Sequence, residues 1–457
     1  MSKNTSPNST SPGGTSRRRF LTTLSGAAAF QIVPSHVLRA QDGKQTPNEK
    51  LNIAFVGAGG RGASNLQGCS GENVYAFADC DQRRCADSVR KYPNAKYFTD
   101  WREMLDKIGN DLDCVVVSTP DHNHAIVAMA AMQLGKNVYV EKPLTRTISE
   151  ARALKAAAQK YGVCTQMGNQ GHAAEGARRT NEWIRSGAVG EIREVHCQSS
   201  RPIWPQDLLR PAAEEVPPTL DWDVWLGPAP EASYSSQIVP FKWRGFIDYG
   251  TGALGDMGAH IFDHPVWALG LGMPETIEVI CDRETPGSEK VTHPASCTIT
   301  YEFAADGDRP PVKLIWFDGK HHMPRPENMD ADKNPPKDGC LYYGSEHVFM
   351  HGSHGGMPQL VNSAEKADFK EPEKTMERSP GHHAEWIAAC KAKDPSMAKS
   401  NFDYAAPLTE IMLLGCVAAQ VGSGTKLTWN PETLKTGNAD ADALVHHHYR
   451  EGWTLGS

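Results

Sequence analysis

The sequence predicts two architectures in succession: an α/β domain on a doubly wound parallel sheet, then an α+β domain with an open, mostly antiparallel sheet. Three observations carry this. From residue 51 to about 173, short apolar runs alternate with helix-compatible segments, as in repeated strand–helix–strand units. Beyond Glu191 the period changes to two, and residues 192–199, 276–280, 297–303 and 312–317 alternate apolar with polar, the pattern of strands with one wetted face. The chain has 457 residues, enough for two sizeable cores.

Composition narrows the partners. A formal charge of −7 is mild and suggests no nucleic acid or other polyanion. Eleven cysteines are scattered without a C-x-x-C pair, which reads as buried free thiols rather than a disulfide framework or a zinc site. Past the N-terminus no apolar run looks long enough to span a bilayer.

At the N-terminus a polar tail is followed by Ser16, Arg17, Arg18, Arg19, Phe20 and Leu21, an apolar stretch over 24–33, and a plausible cleavage after Ala40. This is the twin-arginine export pattern. Residues 1–40 are therefore expected to be a signal peptide and 41–50 a linker, with the mature protein periplasmic or otherwise exported and free of the membrane.

The first strand, 51–56, runs into Gly57, Gly59, Gly60, Arg61 and Gly62, so the glycines at 57, 59 and 62 have G-x-G-x-x-G spacing. Gly57 allows a tight turn, Gly59 admits backbone close to a pyrophosphate, and Gly62 lets the following helix pack on the strand. The next strand, 73–78, delivers Asp79 at the distance expected of a ribose-binding acid. Its charge would repel a 2′-phosphate and favours NAD, while Arg83 and Arg84 leave NADP open. A helix over 82–91, a short strand at 96–98 and a helix capped by Asp100 come next. The strand 113–118 ends at Thr119 and Pro120, with Asp121, His122, Asn123 and His124 opening an alanine-rich helix. A strand over 137–140 breaks at Glu141, Lys142 and Pro143. A helix capped by Ser149 runs to Lys160, and 163–169 closes the series at Asn169. Ligands bind beyond the C-terminal ends of such strands, which is where these residues fall. Asn123 and His124 are read as capping that helix or lining the nicotinamide ribose.

Two long loops, 201–250 and 318–340, are rich in Pro and Trp. Trp204, Trp222, Trp225 and Trp243 suit sugar faces, core packing or a subunit interface. Arg201, at a strand end, is a guess for a substrate hydroxyl. His321 with His322, His351 with His354, His382 with His383 and His446–His448 lack a carboxylate or Cys at metal-ligand spacing, so no metal is expected and these read as solvated or structural.

Taken with Ser118–His124, Glu141–Pro143, Gly168–Asn169 and Gly255–His260, the chain after residue 50 resembles the Gfo/Idh/MocA family, named for glucose-fructose oxidoreductase and inositol dehydrogenase. The resemblance implies a Rossmann domain (51–173) followed by a C-terminal domain (174–457) for substrate binding and oligomerisation, with a homo-oligomer, dimer or tetramer, formed through the sheet. It also assigns catalytic roles to Lys142, Asp256 and His260. His260 would be the base for a hydroxyl proton. Asp256, one turn earlier, would orient its ring or hydrogen-bond a sugar hydroxyl, and Lys142, with a pKa lowered by burial, would relay a proton or polarise the oxygen. Pro265 is expected to end or kink that helix.

The reading is an exported NAD(P)-dependent oxidoreductase acting on a sugar or polyol through a tightly held nicotinamide. Two alternatives stay open: redox-neutral glycoside cleavage with NAD as transient oxidant, which suits a compartment where NAD is not replenished, and a non-catalytic sugar-binding protein.

Overall fold

The fully buried run of β4, Cys114–Val117, sets the first sheet, because a strand apolar on both faces needs helices on both sides. The structure, a computed structural model, describes residues 49–456. Contacts divide the chain after Lys50, and the unit from Leu51 onward holds both sheets. The twin-arginine segment and most of the expected linker lie outside the described residues.

With β1 (Asn52–Val56), β2 (Asn73–Ala78), β3 (Lys96–Phe98), β5 (Asn137–Val140) and β6 (Thr165–Met167), β4 forms a six-stranded sheet in the order β3-β2-β1-β4-β5-β6. Every pair is parallel. Helices α1 (Arg61–Gly68), α2 (Gln82–Lys91), α3 (Trp101–Ile108), α4 (Asp121–Gln133) and α5 (Ile148–Tyr161) join the strands. The order reverses between β1 and β4, and a crevice opens at their carboxyl ends. Local chemistry sets the helix starts: Asp81 and Asp100 accept the N–H groups of Arg83 (3.1 Å) and Arg102 (2.8 Å). The cap of α5 is Thr147 rather than Ser149. Glu150 reaches back to the Thr147 N–H (3.0 Å) and hydroxyl (2.9 Å), and Ser149 merely follows inside the first turn.

The second sheet has eight strands in the order β13-β12-β11-β7-β10-β9-β8-β14. Four were legible from their period: β7 (Ile192–Gln198), β8 (Thr276–Asp282), β9 (Ser296–Phe303) and β10 (Val312–Phe317). The other four were not: β11 (Gly339–Gly344), β12 (Val348–Gly352), β13 (Gln359–Leu360) and β14 (Lys426–Thr428). They are short, and β11 is buried on both faces over its first four residues, so it shows no alternation. The β7–β10 pair is parallel and the rest antiparallel.

Helices α6 (Glu175–Arg185), α7 (Trp222–Leu226), α8 (Gly252–Ile261), α9 (Asp263–Leu269), α10 (His382–Ala392), α11 (Phe402–Val421) and α12 (Ala439–Leu444) complete the fold. A late helix of the second domain also packs on the first sheet. Trp386, Ala389 and Cys390 of α10 are buried against Ile53, Phe55, Phe77, Val116 and Tyr139 of the first sheet. Beyond the N-terminus the chain does contain a long apolar run. The 20 residues of α11 are long and apolar enough to cross a membrane, but 78% of that stretch is buried within the fold. Its Glu410 pairs with Arg152 at 2.6 Å and accepts Trp429 Nε1–H at 3.0 Å. All eleven cysteines are free and ten are buried. The loop 201–250 forms an apolar cluster of its own around Trp225, Tyr234, Trp243 and Tyr249.

Buried histidines tie these layers together. His122 Nε2 lies 3.0 Å from the Trp225 carbonyl, and His382 Nε2 donates to the Met167 carbonyl at 2.7 Å. His264 Nε2 accepts the Gly355 N–H at 2.9 Å, and His293 Nε2 lies 3.1 Å from the Gly250 carbonyl. Burial lowers His122, His264 and His382 to about 3 and His293 to about 4, from 6.5. Below pH 6.5 the unfolded chain therefore takes up protons that the folded chain refuses, so stability is complete above 6.5 and falls as pH drops toward 4. Each such group contributes up to about 1.4 kcal/mol per pH unit in that window; His351 and the Asp79, Asp121 and Asp318 carboxyls, all shifted upward, work against it. The melting temperature should be flat from pH 8 to 7 and fall steeply from 6.5 to 5 in a thermal-shift series. A flat profile down to pH 5 would show that the buried histidines do not dominate the acid side of the stability curve.

Candidate active site

A cavity of about 530 Å³ opens at the carboxyl ends of β1, β2 and β4 and extends to α8. Twelve of the residues expected at the site line it: Gly57, Gly59, Gly60, Arg61, Asp79, Thr119, Pro120, Asn123, Glu141, Lys142, Asp256 and His260. Gly57 has φ +79°, and a Cβ there would lie 2.8 Å from the Ser118 carbonyl oxygen. Gly62 stands off the cavity wall. A Cβ on it would lie 1.8 Å from the Gly57 carbonyl oxygen, so its hydrogen is what lets α1 rest on the strand. The N-terminus of α1 has no side-chain cap and no acid in its first turn, leaving amide N–H groups for an anion. Asp79 accepts the N–H groups of Ala58 (2.8 Å) and Asp81 (3.0 Å), which fixes its carboxylate just after β2. Burial pushes that carboxyl above its ordinary value despite these donors. Glycine turn, open helix end and acid together fit a dinucleotide.

Glu141 is buried beneath that turn and accepts from Arg61 Nε (2.9 Å), Asn65 Nδ2 (2.9 Å) and Gln170 Nε2 (3.1 Å). Burial opposes its charge, but Arg61 and Lys142 outweigh it and hold the carboxyl below its usual range. Its role is to brace the wall. Two residues expected at the cofactor do not reach it. The ring nitrogens of His124 lie 2.8 Å from the Pro143 carbonyl and 2.9 Å from the Thr119 carbonyl, locking two cavity segments together from behind. Asn169 is fully buried and accepts the Ser400 hydroxyl at 2.6 Å; its neighbour Gln170 lines the cavity instead. Asn123 does reach it, and its Oδ1 is buried without a hydrogen-bond partner among the described residues.

At the other end, α8 is buried along its whole length and presents Asp256 and His260. It stops at Ile261, and Pro265 lies in the first turn of α9, so the expected break falls before the proline. Asp256 does not orient His260. Its Oδ1 accepts Lys142 Nζ at 2.7 Å and Arg244 Nε at 3.2 Å, and Arg201 Nε lies 3.7 Å from Oδ2. Three cations competing for one carboxylate draw it away from the imidazole. Burial raises the Asp256 carboxyl, but Lys142, then Arg244, then Arg201 bring it below its usual range. Lys142 Nζ also donates to the Asp256 carbonyl at 2.8 Å.

His260 is 5% exposed, and its Nδ1 has no hydrogen-bond partner among the described residues. Burial, then the Lys142 charge, holds its pKa well below 6.5. Its ring stacks on His354, with centroids 3.8 Å apart and planes 22° apart. The His354 N–H donates to the His260 carbonyl at 3.1 Å. His354 and Arg244 are among the cavity residues that sequence reasoning missed. The first was set aside as solvated or structural, although Gly355 and Gly356 after it mark a turn able to approach another backbone. Arg244 adjoins Trp243, which was singled out. Of the loop tryptophans, Trp225 and Trp243 line the cavity, while Trp222 stacks on Trp225 at 4.7 Å.

With this geometry in place, comparison with known proteins is decisive. The family model described as "Oxidoreductase family, NAD-binding Rossmann fold" matches residues 51–169, and its "C-terminal alpha/beta domain" matches 204–315. The chain belongs to the Gfo/Idh/MocA oxidoreductase family. Its cofactor is accordingly NAD. Among curated Gfo/Idh/MocA-like proteins, it is similar to levoglucosan dehydrogenase of Pseudarthrobacter phenanthrenivorans, 24% identical over 49% of this chain and 52% of that protein. It is also similar to alpha-N-acetylgalactosaminidase of Shewanella oneidensis, 28% identical over 38% of this chain and 44% of that protein. The matches thus span about half the length of these relatives. In fold it resembles levoglucosan dehydrogenase in complex with NADH and levoglucosan, with a TM-score of 0.54, 17% identity, and 83% of this chain and 99% of that one covered. The WlbA dehydrogenase from Bordetella pertussis in complex with NADH and UDP-GlcNAcA gives a TM-score of 0.59 at 14% identity over 83% and 99%.

Proposed function

We propose that this protein oxidises a secondary alcohol of a sugar or polyol by hydride transfer, with His260 as general base. The observation that supports it is a buried imidazole, kept neutral and with no hydrogen-bond partner to its Nδ1 among the described residues, in the same cavity as a Lys142–Asp256 pair and a dinucleotide turn. Bound NAD supplies the hydride acceptor. The carbinol carbon gives up its hydrogen with the electron pair, the hydroxyl proton passes to His260, and a carbonyl remains. Lys142, anchored on Asp256, places a positive charge near the oxygen where negative charge develops. His354, stacked on His260, fixes the plane of the base.

We further propose that the protein is exported by the twin-arginine route with its nucleotide already bound. A second reading is redox-neutral glycoside cleavage. A transient ketone acidifies the neighbouring C–H, a base removes that proton, the aglycone leaves, water adds, and the hydride is returned. The cavity mouth favours it, because Phe241 is 44% exposed there and packs edge-on against Trp204 at 6.0 Å, a platform for an apolar aglycone.

Mass spectrometry of protein purified without added nucleotide, followed by sugars, polyols and aryl glycosides with absorbance at the reduced-nicotinamide band, tests both. NADH formed from a free sugar or polyol supports the dehydrogenase. Glycoside cleavage with bound NAD and no net NADH supports the second reading. No chemistry on any member of the panel, with NAD bound, removes both.

A further inference from the structure

Charge at the substrate end of the cavity is out of balance. Lys142, Arg244 and Arg201 converge on Asp256, and one carboxylate cannot satisfy three cations. Lys142 takes the closest contact, and Arg244 the next. Arg201 is left at 3.7 Å, beyond hydrogen-bond reach, with its Nε buried and no hydrogen-bond partner to its guanidinium among the described residues. Asp338, the carboxylate held by the adjacent residues, accepts from Ser199 Oγ (2.8 Å), Ser200 N–H (2.9 Å) and Ser200 Oγ (2.8 Å). Asp121, deeper in the cavity, is bonded to the Thr251 hydroxyl at 2.8 Å, and the positive groups acting on it are His124, Lys142 and Arg244.

Both guanidinium groups are also held in place. Arg244 lies over Trp243 (4.3 Å) and Phe241 (4.8 Å), and both arginines lie 5.9 Å from the Trp204 ring. Their side chains are 22% and 31% exposed, so each is restrained but open on one edge. A planar guanidinium fork is matched by a carboxylate, which accepts two parallel N–H bonds. A neutral polyol would offer the open edges of these guanidinium groups no counter-charge.

We propose that the substrate is a sugar acid, uronic or aldonic, free or as a glycoside, whose carboxylate binds between Arg201 and Arg244. This rests on the oxidoreductase reading above and narrows its substrate class. The carboxylate supplies the missing counter-charge and fixes which hydroxyl faces His260.

Binding to the NAD-loaded protein, followed by tryptophan fluorescence and thermal shift at low salt, tests it with glucuronate and gluconate against glucose and glucitol. Sugar acids should bind about 10- to 100-fold more tightly than their neutral counterparts, and Arg201→Gln should abolish the difference while Arg201→Lys keeps part of it. Equal or tighter binding of the neutral sugars overturns the proposal, as does a preference unchanged in Arg201→Gln. A phosphorylated sugar bound more tightly than the acids would also overturn it, since the planar fork would then not be what is read. The absorbance of NADH in the same samples separates the two claims. Arg201-dependent binding of sugar acids without NADH would leave the charge reading standing and remove simple dehydrogenation.

Discussion

Replacing His260 with glutamine should lower kcat/KM by about 100- to 10,000-fold, the range that general-base catalysis supplies. The side chain still fills most of the space under His354, so NAD content and melting temperature should stay near those of the parent protein. That pairing matters because a buried residue can also act through packing alone. If activity and stability fell together, His260 would be a core residue and not the base. The pH profile carries the same test further. Burial and Lys142 hold the imidazole neutral well below 6.5, so the base is already competent in mild acid. The acid limb of kcat/KM should lie below pH 6.5, and a limb at or above it would assign the titration to another group.

Gly62→Ala should remove nucleotide binding, with a cost of about 3 kcal/mol or more in stability. The new Cβ would sit 1.8 Å from the Gly57 carbonyl oxygen, inside the contact that holds α1 to the strand. Backbone atoms on both sides leave no flexible side chain to yield, so the glycine turn must open. Gly71 provides the control, because a Cβ there meets nothing within 4 Å. Gly71→Ala should melt like the parent and keep its NAD. If the two variants retained equal nucleotide by mass spectrometry, the turn would not be the cradle described here.

The dinucleotide half was legible because each part of it is local. Gly57 to Gly62, Asp79, and the strand ends carrying Thr119 and Glu141 lie in short segments whose order along the chain fixes their place in a parallel sheet. The period-two strands were legible for the same reason, since alternation records one wetted face. By contrast, β11 carries no alternation because both faces are covered, and α10 reads as part of the second domain although its Trp386 is buried in the first. His124 and Asn169 sit at the expected positions, yet backbone carbonyls and Ser400 claim them. These partners come from neighbouring loops or lie 231 residues away.

The chain's order of residues therefore determined the two-sheet architecture and the nucleotide turn, while Lys142, Asp256 and His260 were brought together by the resemblance to the Gfo/Idh/MocA family. Only the tertiary structure decided how those three divide their work. Arg244 arrives from a long loop and, with Lys142, takes the Asp256 carboxylate, leaving Arg201 of the same loop at 3.7 Å, and His354 arrives from the far end of the second sheet to cover His260. No periodicity encodes such meetings, because a long-range ion pair or ring stack depends on which loops the cores bring together.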